Sequence, residues 1–156
     1  MKYRASAMIL AAWAGFTAAA PPTVQLSVQK SGSGGVMVLV VAKDMPDLDT
    51  YSFEIRYDTA ALKATDASLD APLMNITNML RGKGRALLPV IKKEAGKVTI
   101  AATLSGNKSD DIPSRSGTLG VALFKILGTT SGKISIQNAR FLDSKGAAIE
   151  QVTVIR

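Results

Sequence analysis

The sequence predicts an all-β antiparallel sandwich. Three observations carry that expectation. The dominant hydrophobic period along residues 20–156 is two, the period of a half-buried strand. The apolar runs are short and bounded by clusters of Gly, Pro, Asn, Asp and Ser. The spacing between runs is fairly even, as in two-sheet β proteins.

In chain order, Val24, Leu26 and Val28 alternate with polar residues and form the first strand. A turn at 31–35, rich in glycine and serine, leads to the continuous apolar run 36–42, the pattern of a strand buried on both faces. Tyr51, Phe53, Ile55 and Tyr57 then alternate with Ser52, Glu54 and Arg56. Weaker strand character follows over 62–69, and further strands are expected over 85–92, 97–104, 118–127, 133–139 and 152–155. Within 97–104, Val98, Ile100, Ala102 and Leu104 share one face. Two segments read as helical: a turn at 58–61, and residues 72–80, where Leu73, Ile76 and Leu80 fall on one side at helical spacing.

The chain opens with Lys2 and Arg4, followed by an apolar stretch over 5–20. That stretch is short of the roughly 20 residues a membrane span needs. A basic start, an apolar centre and a small-residue end read as a signal peptide, residues 1–19, cut after Ala19. Residues 20–156 then form one domain, expected to be secreted, periplasmic or cell-surface associated, with no transmembrane helix once the leader is gone. Cleavage takes Lys2 and Arg4 off the formal net charge of +7 and removes Trp13, the only tryptophan.

Composition excludes much chemistry. The 156 residues contain no histidine and no cysteine. Imidazole bases, thiol nucleophiles, disulfides and Cys/His metal centres are therefore out. Gly128 through Lys133 imitates a phosphate-binding loop, but it is one residue short between the glycines, Ile134 stands where Ser or Thr is required, and a strand follows instead of a helix. It reads as a hairpin turn. Two Ser-x-x-Lys spacings, Ser27/Lys30 and Ser105/Lys108, fall on a strand and in a loop, where no helix face brings the pair together. Asp44, Asp47 and Asp49, and separately Asp110-Asp111, could offer oxygens to Ca²⁺; Pro46 and Leu48 break the EF-hand pattern, and turn-forming aspartates explain both groups. No metal and no cofactor are expected, and the chain is not expected to be an enzyme.

Basic residues concentrate over 81–97, where Arg81, Lys83, Arg85, Lys92, Lys93 and Lys97 face Glu94 alone. Such a patch could meet an acidic surface. It lacks interleaved aromatics, so nucleic acid is not an expected partner; lysines guarding a sheet edge explain it as well.

Three blocks, in order, resemble the cohesin family. They are Tyr51-Ser52-Phe53-Glu54-Ile55-Arg56-Tyr57-Asp58 with Ala61-Leu62 and Thr65; Ser116-Gly117-Thr118-Leu119 leading to Phe124-Lys125-Ile126; and Phe141-Leu142-Asp143-Ser144-Lys145-Gly146. The resemblance covers nearly all of 23–155. It implies a jelly-roll sandwich of about nine strands and non-catalytic protein–protein adhesion, with a dockerin-like module or a surface or secretion component as partner. A carbohydrate-binding module shares the broad fold, so polysaccharide is the alternative ligand, and polysaccharide catabolism the setting it would suggest.

Strand geometry locates a candidate surface independently. If Tyr51, Phe53, Ile55 and Tyr57 enter the core, then Thr50, Ser52, Glu54 and Arg56 point outward. In the family, the matching outward positions of this strand meet the dockerin, often through Asp or Asn; Thr50 and Ser52 depart from that. By the same rule Thr99, Ala101 and Thr103 face outward. On 118–127, placing Ala122, Phe124 and Ile126 inside turns Leu119, Val121 and Leu123 outward, an apolar row fit for a partner, unless another segment of the chain covers it.

Overall fold

A computed structural model describes residues 19–32, 34–82, 84–106, 115–128 and 132–155. Most of the expected leader, residues 1–18, lies outside them, as do Lys83, Lys108, the Asp110-Asp111 pair and the middle of the 128–133 loop.

The strands are β1 (Thr23–Ser31), β2 (Gly35–Lys43), β3 (Leu48–Tyr57), β4 (Leu62–Ser68), β5 (Leu87–Glu94), β6 (Lys97–Leu104), β7 (Gly117–Ile126), β8 (Ile134–Asp143) and β9 (Thr153–Ile155). They form two sheets. One has the order β4-β7-β2-β1-β9, the other β5-β6-β3-β8. All pairings are antiparallel except β1 with β9, whose three-residue ladder runs parallel. This is the nine-stranded jelly-roll sandwich the sequence predicts.

The alternating aromatics of β3 point inward as expected. Tyr51, Phe53 and Ile55 are fully buried, and Tyr51 stacks on Phe53 with ring centroids 5.9 Å apart. Val98, Ile100, Ala102 and Leu104 of β6 join them. Facing them across the sandwich are Val38, Val40 and Ala42 of β2 and Ala122 and Phe124 of β7. The sheets approach closely at Gly120, where an added Cβ would lie 3.0 Å from Ile100 Cδ1 and 3.5 Å from Phe53 Cζ. A larger residue there would force the layers apart.

The run 36–42 is buried on both faces, and its other side forms a second, smaller core. Met37 and Leu39 of β2 pack with Val121 of β7, with Val41, Leu123, Ala71 and Ile76 partly buried against them. The segment that follows β4 therefore lies over the outer face of the five-stranded sheet.

Two expectations fail here. Residues 72–80 are not a helix; only Pro72–Met74 make a 3-10 turn. Asn75 ends it in the left-handed region at φ 55°, and Ile76 turns back to exchange backbone hydrogen bonds with Ala71 at 2.9 and 3.1 Å. The Asn78 amide bonds backbone groups outside any helix, an alternative that wins locally. Leu73, expected on the buried side, is wholly exposed. The 128–133 connection is also not a hairpin, because β7 and β8 belong to different sheets.

A buried polar knot fixes this covering segment. Asn78, 2% exposed, donates from Nδ2 to Tyr51 Oη at 2.5 Å and to the Leu119 carbonyl at 2.7 Å, and its Oδ1 accepts from Leu80 N at 2.9 Å. The Tyr51 hydroxyl donates to the same Leu119 carbonyl. One side chain thus joins both sheets to the cover. Burial pushes the Tyr51 phenol well above its ordinary pKa, opposed in part by the Asn78 bond, so it stays a neutral donor.

Asp70 anchors the segment from outside. Its Oδ1 accepts from Asn78 N at 2.7 Å, and its Oδ2 meets Arg81 at 2.6 Å. The hydrogen bond from Arg81 is the largest influence on Asp70; with the Asn78 N–H it holds the carboxyl below the ordinary 3.8 against a modest burial penalty. A depressed folded pKa means that the stabilisation is complete above the unfolded value and is lost as pH falls through the folded one. Below about pH 4 the cover is therefore expected to loosen over Met37, Leu39 and Val121. A rise in binding of a hydrophobic dye below that pH, before the far-UV circular dichroism changes, checks this; dye binding that rises only with global unfolding would contradict it.

Candidate interaction surface

The outer face of the four-stranded sheet is a grid set by the strand registers. Its first row is Leu88, Thr103, Thr50 and Leu142, from β5, β6, β3 and β8. The second is Val90, Ala101, Ser52 and Arg140. The third holds Lys92, Thr99, Glu54 and, across a register shift in β8, Gln137. The fourth holds Glu94, Lys97, Arg56 and Ser135. The first two rows form a half that is neutral but for Arg140 at the β8 edge, and the last two form a charged half.

In the neutral half, Leu88 and Val90 are 51% and 50% exposed. Thr50 and Thr103 bond to one another through their hydroxyls at 2.6 Å, which leaves a low, largely uncharged surface between the two edge strands.

The charged half is knit together. Glu54 accepts from Arg56 Nε and Nη2 at 3.0 and 2.7 Å and from Asn138 Nδ2 at 2.9 Å, with Lys97 Nζ 3.6 Å away. Lys97 also pairs with Glu94 at 2.7 Å. Desolvation pushes the Glu54 carboxyl up, but the Arg56 and Asn138 bonds and the Lys97 charge outweigh it and leave the carboxyl below its usual range. The hydrogen bond from Lys97 holds Glu94 down, and the same bond raises Lys97. Asn138 reaches Glu54 because it sits in the left-handed region, φ 51°, where the β8 register shifts.

Of the residues singled out in the sequence, Thr50, Ser52, Glu54, Arg56, Thr99 and Thr103 all lie on this one face, and all are partly exposed. The other three do not join them. Leu119 is fully buried in the main core, because the register between β2 and β7 shifts so that Val40 faces Gly120 and Val41 faces Thr118; Leu119 has no partner in that ladder and turns inward. Val121 is buried in the second core beneath the covering segment, and Leu123 is half-covered beside it. The apolar row on this strand is covered by the chain itself.

Sequence reading missed Leu88, Val90, Arg140 and Leu142 and met Lys92 only as part of the basic run 81–97. The run Leu87-Leu88-Pro89-Val90-Ile91 is apolar at every position, so alternation could not say which side faces out. Pairing with β6 decides it. On β8 the extra residue at the register shift breaks the alternation that would have placed Arg140.

The basic concentration over 81–97 disperses in space. Arg81 pairs with Asp70 and Arg85 with Asp49, Lys93 donates to the Thr65 carbonyl at 3.0 Å, and Lys97 belongs to the Glu54 network. The aspartates at 44–49 also diverge: Asp44 is exposed in a left-handed turn, Asp47 accepts from the Ser144 hydroxyl, and Asp49 is held by Arg85. Among the described residues no three His, Cys, Asp or Glu side chains are grouped to hold a metal ion, and no helix is long and apolar enough to cross a membrane.

The fold is similar to that of solved cohesins. The non-cellulosomal cohesin of the archaeon Archaeoglobus fulgidus matches with a TM-score of 0.61 at 15% identity, over 87% of each chain. A type II cohesin in a cohesin–X–dockerin complex from Acetivibrio cellulolyticus matches with a TM-score of 0.68 at 16% identity, over 86% of this chain and 96% of that one. The sixth cohesin of scaffoldin B from the same bacterium, solved with a Cel5 dockerin mutant, matches with a TM-score of 0.62 at 17% identity, over 88% of this chain and 95% of that one. No family model and no curated protein matches the sequence.

Proposed function

We propose that this chain is a non-catalytic recognition module that binds a protein partner on the outer face of the four-stranded sheet. The observation that carries the reading is the contrast between the two outer faces. The five-stranded sheet covers its apolar centre with the chain's own residues 70–80. The four-stranded sheet keeps Leu88 and Val90 half-exposed beside Thr50, Ser52, Thr99 and Thr103. Two of the solved cohesins of this fold are seen with dockerins, which supports a dockerin-like module or a surface or secretion component as the class of partner. On this reading residues 1–19 serve export and 20–156 form the secreted or periplasmic module. A polysaccharide ligand gains no support: Tyr51, Phe53, Phe124 and Phe141 are core residues and Tyr57 packs edge-on against Phe124 at 5.0 Å, so these rings offer no flat exposed platform.

Affinity capture tests the reading. Residues 20–156 serve as bait beside the double variant Ser52→Arg/Thr99→Arg, which fills the middle of the face with two long charged side chains. Partner capture from the secreted and periplasmic fractions of the source organism is expected on the wild-type bait and to fall at least tenfold on the variant. Identical retained sets on both baits would remove this face as the binding site.

A further inference from the structure

An opening lies at one flank of the sandwich, between edge strand β4 of one sheet and edge strand β5 of the other. It encloses about 400 Å³, at the lower end of the roughly 300–1,000 Å³ of small-molecule sites. Its walls include Tyr57, Leu62, Ala64, Ala95 and Leu127. The Tyr57 hydroxyl is spent on the Glu94 carbonyl at 3.1 Å, and Leu127 is 52% exposed. Two lysines, Lys63 and Lys93, border the mouth. Lys93 projects from the opposite side of β5 to Lys92 and reaches across to β4, where its Nζ donates to the Thr65 carbonyl at 3.0 Å. Lys63 stands opposite Lys125 of β7 in the ladder, which sets their Cβ atoms roughly 5 Å apart, and like charges so placed destabilise a sheet. None of these three lysines forms a salt bridge with a described residue. The carboxylate at the mouth, Glu94, is already held by Lys97 at 2.7 Å.

We propose that this opening binds a single-chain anionic amphiphile, an alkyl chain with a carboxylate or phosphate head. The chain enters between the sheets against Tyr57, Leu62 and Ala64 and covers Leu127. The head stays at the mouth, where it meets Lys63 and Lys93 and relieves the repulsion between Lys63 and Lys125. Bonds from an ammonium to an anion are stronger than neutral ones, and apolar walls beside them reduce screening by water. The volume suits one chain rather than the two of a membrane phospholipid. The site is separate from the outer face of the four-stranded sheet, so it stands or falls independently of the partner surface proposed there.

Decanoate, decanol and acetate, titrated separately into the isotopically labelled full chain, test the site through the methyl resonances of Leu62, Ala64 and Leu127. Decanoate is expected to shift all three to saturation. Acetate, which lacks the chain, is expected to leave them unmoved, and decanol, which lacks the charge, to bind roughly tenfold more weakly. Lys63→Glu/Lys125→Glu should erase the preference for decanoate over decanol. Ala95→Trp, which sets a ring over the mouth, should abolish the binding of both. All three substituted positions are exposed, so the wild-type thermal midpoint is expected to persist. Equal affinity of the wild-type chain for decanoate and decanol would overturn the anionic head. Methyls that stay put under decanoate would overturn the site; if the chain then binds phosphatidylglycerol vesicles through Lys63 and Lys125, those lysines serve a membrane surface instead.

Discussion

Phe53→Ala is expected to lower stability by about 3–5 kcal/mol, the range for emptying a phenylalanine site in a packed core. Phe53 is fully buried on β3, stacked on Tyr51, and its ring edge faces Gly120 of the opposite sheet. Because Gly120 has no side chain, nothing on that side can move into the vacated space, and the fixed spacing of the two sheets limits collapse. Chemical denaturation checks the value. A loss below about 1 kcal/mol, the ordinary cost of a surface change or less, would mean that the faces of β3 are inverted and that Ser52 and Glu54 are not surface residues.

Asn78→Leu is expected to cost about 3 kcal/mol. The substitution is close in volume, so the loss is polar. Leu80 N loses its acceptor and is orphaned inside the protein, at a cost of roughly 1–3 kcal/mol, while the Leu119 carbonyl and the Tyr51 hydroxyl each lose the bond from Asn78 and keep the one between them. Tyr51→Phe provides the comparison. It removes one hydroxyl and leaves Asn78 bonded to the Leu119 carbonyl, so about 1 kcal/mol is expected. Thermal or denaturant unfolding of both variants checks the ranking. If Asn78→Leu proves as mild as Tyr51→Phe, the asparagine does not hold the two sheets and the cover together.

The regular parts of this fold are legible in the sequence because strand periodicity is a direct record of burial. Tyr51, Phe53 and Ile55 alternate on β3 and point inward, so Thr50, Ser52, Glu54 and Arg56 could be placed outward from spacing alone. The continuous run over 36–42 marks a strand with apolar neighbours on both sides, and the second core beneath residues 70–80 is its cause. Three features were not legible. The β2–β7 register shift moves Leu119 from the expected outer row into the core, and a single extra residue leaves no compositional trace. Leu73, Ile76 and Leu80 keep helical spacing, yet Asn75 ends the turn in the left-handed region and Asn78 spends its amide on a buried knot. The uniformly apolar start of β5 hides which residues face solvent, so Leu88 and Val90 emerge only from pairing with β6.

Leu123 sits against the second core, so a charge there tests packing and says nothing of recognition. Substitutions on the opposite sheet, at Ser52 and Thr99, address recognition with little effect on the core.

Methyl resonances distinguish the two faces most directly. Leu88, Val90, Ala101 and Leu142 report on one outer surface; Leu39, Val121 and Leu123 report on the other. On titrating the captured partner into the isotopically labelled chain, the first group is expected to shift and broaden while the second holds its positions. Perturbation confined to the second group, with Leu88 and Val90 unmoved at saturation, would contradict recognition by the four-stranded sheet.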